Sequence, residues 1–222
     1  MEFDRFTLAA STASLGDEPA ARPLADCLEF RMDLATAPLP ALKAYDGELP
    51  LIVTNRREAE GGAASADGRI EALEAAIEFD SIAAVDVELA SVRRGEADLL
   101  TDAAGERDVS IIVSAHDLDG TPPEPELIET LREAAAVGDV AKLATTADTP
   151  ADALSLLSAT ERASREGMTV ATMAMGEIGR HTRAVASVYG SKIGYAPVRS
   201  ADVTAPGQYD LETLATLVES LR

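Results

Sequence analysis

Eight short runs rich in Val, Ile, Leu, Thr and Ala alternate with stretches of helical period along this chain, and that alternation leaves few folds open. The strand-like runs are 6–11, 27–34, 49–56, 83–89, 109–116, 140–145, 169–175 and 192–197. Between them, apolar residues recur at helical spacing: Ile70, Leu73 and Ile77 in 68–79, and Leu127, Ile128 and Leu131 in 124–137. The stretches 151–166, 180–189 and 210–222 behave likewise, and the link 40–45 between the second and third runs is the shortest. A strand about every 25–30 residues, each followed by a helix, predicts an α/β chain folded as one (β/α)8 TIM-barrel domain over residues 1–222. An open doubly wound sheet is the competing arrangement. No Gly-x-Gly-x-x-Gly follows an early strand, which disfavours a dinucleotide-binding fold.

Composition narrows the function classes. The chain carries 39 acidic against 19 basic residues, a formal charge of −20. That sign is opposite to the one a phosphate backbone selects, so nucleic acid is not an expected partner. The acids are scattered and only Lys43, Lys142 and Lys192 are lysines, a surface suited to concentrated salt, where counterions screen self-repulsion. No run reaches the roughly 18 apolar residues of a membrane span. The opening Met1-Glu2-Phe3-Asp4-Arg5 is acidic where a signal peptide is basic, so a cytoplasmic protein is expected. One cysteine, Cys27, and two histidines, His116 and His181, supply neither a disulfide nor a metal-ligand set.

The polar residues inside the apolar runs carry the chemistry. Lys142 lies in Val140-Ala141-Lys142-Leu143-Ala144. Burying an ammonium costs several kcal/mol unless something compensates, and a desolvated lysine amine is the usual starting point for a Schiff base. Because alternate strand residues share a face, Glu29, Arg31 and Asp33 are expected to point the same way, as are Asp86 with Glu88 and Ser114 with His116. Arg56 and Glu60 follow the third strand, ahead of Gly61-Gly62, which would let backbone approach a ligand closely. Nearly all of these fall toward the carboxyl ends of strands, where barrel enzymes build their sites. His181 reads as a solvated or helix-packing residue, and Met173 with Met175 as packing of the barrel interior.

Taken in order, Glu29-Phe30-Arg31-Met32-Asp33, Arg56 with Glu60-Gly61-Gly62, Asp86-Val87-Glu88-Leu89, Ser114-Ala115-His116-Asp117, Lys142-Leu143-Ala144, Met175-Gly176 with Thr182-Arg183, and Ala205-Pro206-Gly207-Gln208 resemble the type I 3-dehydroquinate dehydratases over nearly the whole chain. The resemblance implies a barrel, commonly a homodimer, that dehydrates 3-dehydroquinate to 3-dehydroshikimate without metal or cofactor, in aromatic amino-acid biosynthesis. It implies Lys142 as the Schiff-base residue, His116 as general acid and base, and Glu60 as the group that orients His116. It further implies that Arg183 binds the substrate carboxylate, while Glu29, Arg31, Arg56, Thr204 and Gln208 hold hydroxyls and order the site. Thr182 and Thr204 stand where the family often has serine. Gly176-Glu177-Ile178-Gly179 is a variant stretch that makes Arg180 a rival of Arg183. The segment 199–209, rich in Pro, Gly and Ala, reads as a lid carrying Gln208.

Two other functions fit the same barrel. A class I aldolase-like enzyme also uses a lysine on the sixth strand, but the arginine-rich set here is directed at a carboxylate rather than a phosphate. A silent barrel that binds shikimate-type acids would have no use for a buried, destabilising lysine.

Overall fold

A computed structural model describes residues 1–199, 205 and 207–221. Its eight strands are β1 (Thr7–Thr12), β2 (Cys27–Arg31), β3 (Leu51–Thr54), β4 (Ile82–Glu88), β5 (Ser110–Asp117), β6 (Val140–Thr146), β7 (Val170–Met175) and β8 (Ile193–Pro197). All are parallel and neighbours in sequence are neighbours in space, from β1 through β7, with β8 returning to pair with β1. Among the described residues a single bridge, Val170 to Ser191, joins the β7 edge to the chain just before β8. There the Lys192 N–H donates to the Val170 carbonyl at 2.7 Å, and the Ser191 hydroxyl accepts the Thr172 N–H at 3.0 Å. The (β/α)8 barrel expected from the alternation is the fold observed.

Strand alternation divides the core in two. Outward residues such as Leu28, Phe30, Val53, Val85, Val113 and Leu143 pack beneath the surrounding helices. Inward residues Ala9, Cys27, Ile52, Ala84, Ile112, Val140, Ala171 and Ile193 fill the lower barrel, which Phe3 closes at 6% exposure. The next inward positions on β1 to β6 are polar, Ser11, Glu29, Thr54, Asp86, Ser114 and Lys142, while β7 and β8 present Met173 and Tyr195. This switch from apolar to polar, along strands that stay buried, sets the site at the carboxyl end.

Boundaries differ from expectation where polar chemistry intervenes. The second run turns into a 3-10 helix at Met32–Leu34, because Asp33 pairs back on Arg31 instead of continuing the pleat. The 180–189 stretch breaks into an α-helix, Thr182–Val185, and a 3-10 turn, Ala186–Tyr189. The crossover after β4, where no helical stretch is named above, holds two short helices, Leu89–Arg93 and Asp98–Glu106. The long crossover helix Pro150–Arg165 starts with a capping box between Thr149 and Asp152, and Pro150 occupies its first turn.

Candidate active site

A cleft of about 650 Å³, counting the space that opens to solvent, lies at the carboxyl end of the barrel. Glu29, Arg31, Thr54, Arg56, Glu60, His116, Lys142, Arg183 and Gln208 all line it, with Met173, Met175, Leu118 and Tyr195 as its apolar walls. The site residues that the resemblance implied are therefore brought together, save Thr204, which lies outside the described residues. So does most of the stretch read as a lid.

Lys142 is 5% exposed on β6, so its charge must be met inside the barrel. Its Nζ donates to Asp86 Oδ2 at 2.8 Å, stands 3.6 Å from Glu29 Oε1 and sits 4.0 Å from the Tyr195 ring centroid. Two carboxylates and an aromatic face thus offset the desolvation of the ammonium. The carboxylates are held in turn. Glu29 accepts the Ser11 hydroxyl at 2.6 Å and the Thr54 hydroxyl at 3.0 Å. Asp86 Oδ1 accepts Arg56 Nη2 and the Ser114 hydroxyl, both at 2.6 Å. Burial alone would raise the Asp86 carboxyl, but Arg56 and then Lys142 hold it well below the usual carboxylate range.

Arg56 is a structural cation as much as a cleft residue. It spans Ser114 (2.7 Å), Asp86 and Glu88 (3.1 Å), and Glu88 also meets Arg69 at 2.5 Å. Arg31 likewise grips Asp33 through two hydrogen bonds of 2.9 and 2.7 Å. Asp33 is therefore not a member of the inward face of β2. Its second oxygen also accepts the Ala63 N–H at 3.2 Å, which ties the end of β2 to the loop that carries Glu60.

That loop depends on its glycines, though not as the sequence suggested. A Cβ on Gly62 would lie 2.0 Å from the Arg56 carbonyl oxygen, and Gly61 ends the 3-10 turn Glu58–Glu60 at φ +79°. The chain folds against itself here, with Gly62 donating to the Arg57 carbonyl and Ala64 to that of Arg56, both at 3.0 Å. The turn swings Glu60 over β5, where its Oε2 lies 3.0 Å from His116 Nδ1. Burial pushes Glu60 up to about 7, against the opposing pull of Arg56. Burial, and then the charges of Arg56 and Lys142, hold His116 well below 6.5. At neutral pH the imidazole is uncharged, and Glu60 is poised between its two forms.

On the far wall, Thr182 donates to the Gly179 carbonyl at 2.7 Å and accepts the Ala174 N–H at 2.8 Å. Its hydroxyl braces backbone and so aims Arg183. Arg183 is 4% exposed, and burial brings it down to about 10, still a cation at neutral pH. Arg180 does not line the cleft: its guanidinium lies over the Tyr209 ring, 4.1 Å from the centroid. His181 is exposed and rests 3.2 Å from the Ile178 carbonyl. Among the described residues no group of three His, Cys, Asp or Glu could hold a metal ion.

Sequence reasoning assigned no role to Asp86, Ser114 or Tyr195. The first two were signalled by alternation with Glu88 and His116. Nothing in the sequence marked Tyr195, which sits on β8 like any other strand aromatic.

Residues 11–222 match a family described as type I 3-dehydroquinase. A 3-dehydroquinate dehydratase of Haloarcula marismortui is 54% identical over 226 residues, covering 100% of this chain and 99% of that protein. One from Halobacterium salinarum is 50% identical and covers 100% of both. The crystal structure of 3-dehydroquinate dehydratase from Geobacillus kaustophilus HTA426 superposes with a TM-score of 0.87 at 29% identity, covering 98% of this chain and 91% of that one.

Proposed function

Because the chain belongs to the type I 3-dehydroquinase family, we propose that it is a hydro-lyase that dehydrates 3-dehydroquinate to 3-dehydroshikimate through a Schiff base on Lys142. The observation that carries the reading is the lysine itself: 5% exposed, in a cleft it shares with the His116–Glu60 pair and the buried Arg183.

Chemistry gives each group a task. The proton alpha to a ketone is only weakly acidic, so removal by an imidazole alone is slow. Lys142 passes its ammonium proton to the uncharged His116, the freed amine adds to the C3 carbonyl, and the carbinolamine hydroxyl leaves as water with that proton, giving an iminium that accepts electrons from the neighbouring carbon. Asp86, held so far below its usual range, is a poor proton acceptor, and the uncharged His116 is the better one. His116 then takes the C2 proton. The resulting enamine expels the C1 hydroxyl, which leaves as water with a proton from His116. Water hydrolyses the remaining iminium to release product and restore the amine. Glu60 fixes the imidazole through Nδ1 and steadies its charge when it is protonated.

Arg183 faces the substrate carboxylate, where a desolvated guanidinium offers a charge-assisted, bidentate contact. Glu29, Arg31, Arg56 and Gln208 order the ring hydroxyls, a role we extend to Thr204. The set is directed at a carboxylate on an apolar wall of Met173, Met175 and Tyr195, which favours this reading over an aldolase acting on a phosphorylated sugar. We extend the proposal to a single-domain, homodimeric, cytoplasmic enzyme of aromatic amino-acid biosynthesis with a salt-adapted surface. The −20 charge together with the Haloarcula and Halobacterium relatives supports the salt-adapted surface. No helix among the described residues is long and apolar enough to cross a membrane.

Borohydride trapping tests the mechanism. Protein mixed with 3-dehydroquinate and reduced should gain a stable adduct on Lys142, and Lys142→Met should gain none and lose turnover by at least ~10⁴-fold. A Lys142→Met protein that turns over normally, or a wild-type adduct on Lys43 or Lys192, would sink the proposal.

A further inference from the structure

Arg180 is the arginine that the site does not use directly, and its surroundings are specific. It follows the short helix Gly176–Gly179 that continues from β7, and its side chain is 37% exposed. Among the described residues its Nε is nevertheless buried without a hydrogen bond, and its one ionic partner is Glu177, 3.6 Å from Nη1. The guanidinium carbon instead sits 4.1 Å from the centroid of Tyr209. A buried N–H left without an acceptor costs roughly 1–3 kcal/mol, so a purely superficial arginine would turn outward to water. The guanidinium is weakly hydrated and planar, which makes an aromatic face a fitting substitute.

The partner ring is the residue after Gln208, which lines the cleft at 9% exposure. Gln208 uses its own Oε1 to accept the Ala205 N–H at 3.0 Å, curling the backbone beside it. Gly207, between them, has φ +75°, and a Cβ there would lie 2.3 Å from the Gly176 carbonyl oxygen. The chain after β8 is thus pressed onto the chain after β7 at two adjacent points, glycine on glycine and tyrosine on arginine. Only the second involves side chains that can be changed without a steric clash.

We propose that Arg180 is a positioning residue: by stacking on Tyr209 it clamps the backbone around Gln208 to the end of β7 and so fixes the Gln208 side chain in the cleft beside Arg183. This rests on the reading above that Gln208 meets substrate. The clamp acts on ground-state binding, so its loss shows in KM more than in kcat.

Two readouts test it. Hydrogen exchange on peptides covering 205–213 should quicken in Arg180→Met and Tyr209→Leu and stay at the wild-type rate in Tyr209→Phe, which keeps the ring. With 3-dehydroquinate, the first two variants should raise KM about threefold to tenfold, the range a cation–π contact allows, with kcat within about twofold. The double variant Arg180→Met/Tyr209→Leu should be no worse than either alone, since both remove one contact. Unchanged exchange in both single variants overturns the clamp. So does a multiplicative KM effect in the double variant, or a KM rise in Arg180→Met with exchange unaltered, which would make Arg180 a direct carboxylate ligand. If the wild-type protein does not turn over 3-dehydroquinate, the functional reading fails, and the exchange result alone decides whether the clamp exists.

Discussion

Glu60 and His116 share one hydrogen bond and are pushed in opposite directions by the same burial. A carboxyl that leaves water resists ionising, and an imidazole that leaves water resists protonation. The consequence for stability follows from linkage. Glu60 has a folded pKa of about 7, above its usual 4.5, so the native state holds its proton more firmly than the unfolded chain does. Its contribution is fully present below about pH 4.5 and is lost as the pH rises through about 7. Glu60→Gln keeps the shape and cannot ionise. In urea melts at about pH 5 and about pH 8, this variant should show a pH-dependent loss smaller than wild type by on the order of 2 kcal/mol, after discounting for partial exposure. An equal loss in both proteins would place the titration elsewhere. The pairing itself was not legible from spacing, since the two residues are 56 apart and meet only through the turn at Gly61. Lys142 shows the same limit. Its burial was evident from Val140-Ala141-Lys142-Leu143-Ala144, but Asp86, the carboxylate that meets its charge, lies on another strand, and Glu29 on a third.

At the level of elements, strands were more legible than the segments that join them, for a physical reason. A barrel strand is buried on both sides and writes a dense apolar run, as in Ser110–Asp117 and Val170–Met175. The helix Asp98–Glu106 buries only Leu100 and Ala104 while Leu99 is 73% exposed, so it leaves no stripe to read. The loop after β3 is the element on which catalysis most depends, because it alone delivers Glu60. Gly62→Ala would set a methyl group 2.0 Å from the Arg56 carbonyl and displace that turn, leaving the eight strands untouched. We expect circular dichroism like that of wild type and a kcat lower by about 10- to 100-fold, the cost of misplacing a catalytic group by about an ångström. Full activity in Gly62→Ala would show that Glu60 reaches His116 by some other backbone path.

For the whole molecule, the layered interior explains how one barrel is both a packed solid and a reaction vessel. Apolar residues from Ala9 to Ile193 fill its lower half and leave the carboxyl ends free to carry charge. The alternation along each run foretold this division, whereas the closure of the ring could not be read, because register between strands distant in sequence is written nowhere locally. Among the described residues that closure rests on one bridge, Val170 to Ser191, with a serine hydroxyl accepting the next strand N–H. A cylinder with one weak stave parts there first. Arg183 is placed from one side of that joint, and Tyr195 and Gln208 from the other, so a modest gap would pull the two halves of the reaction chamber apart. In a urea titration followed by circular dichroism and by turnover, activity should fade at lower denaturant than helical signal; coincident curves would mean the ring opens only when everything does. The chemistry is thereby tied to the least secure seam of the barrel, and turnover becomes a sensitive gauge of whether the cylinder is shut.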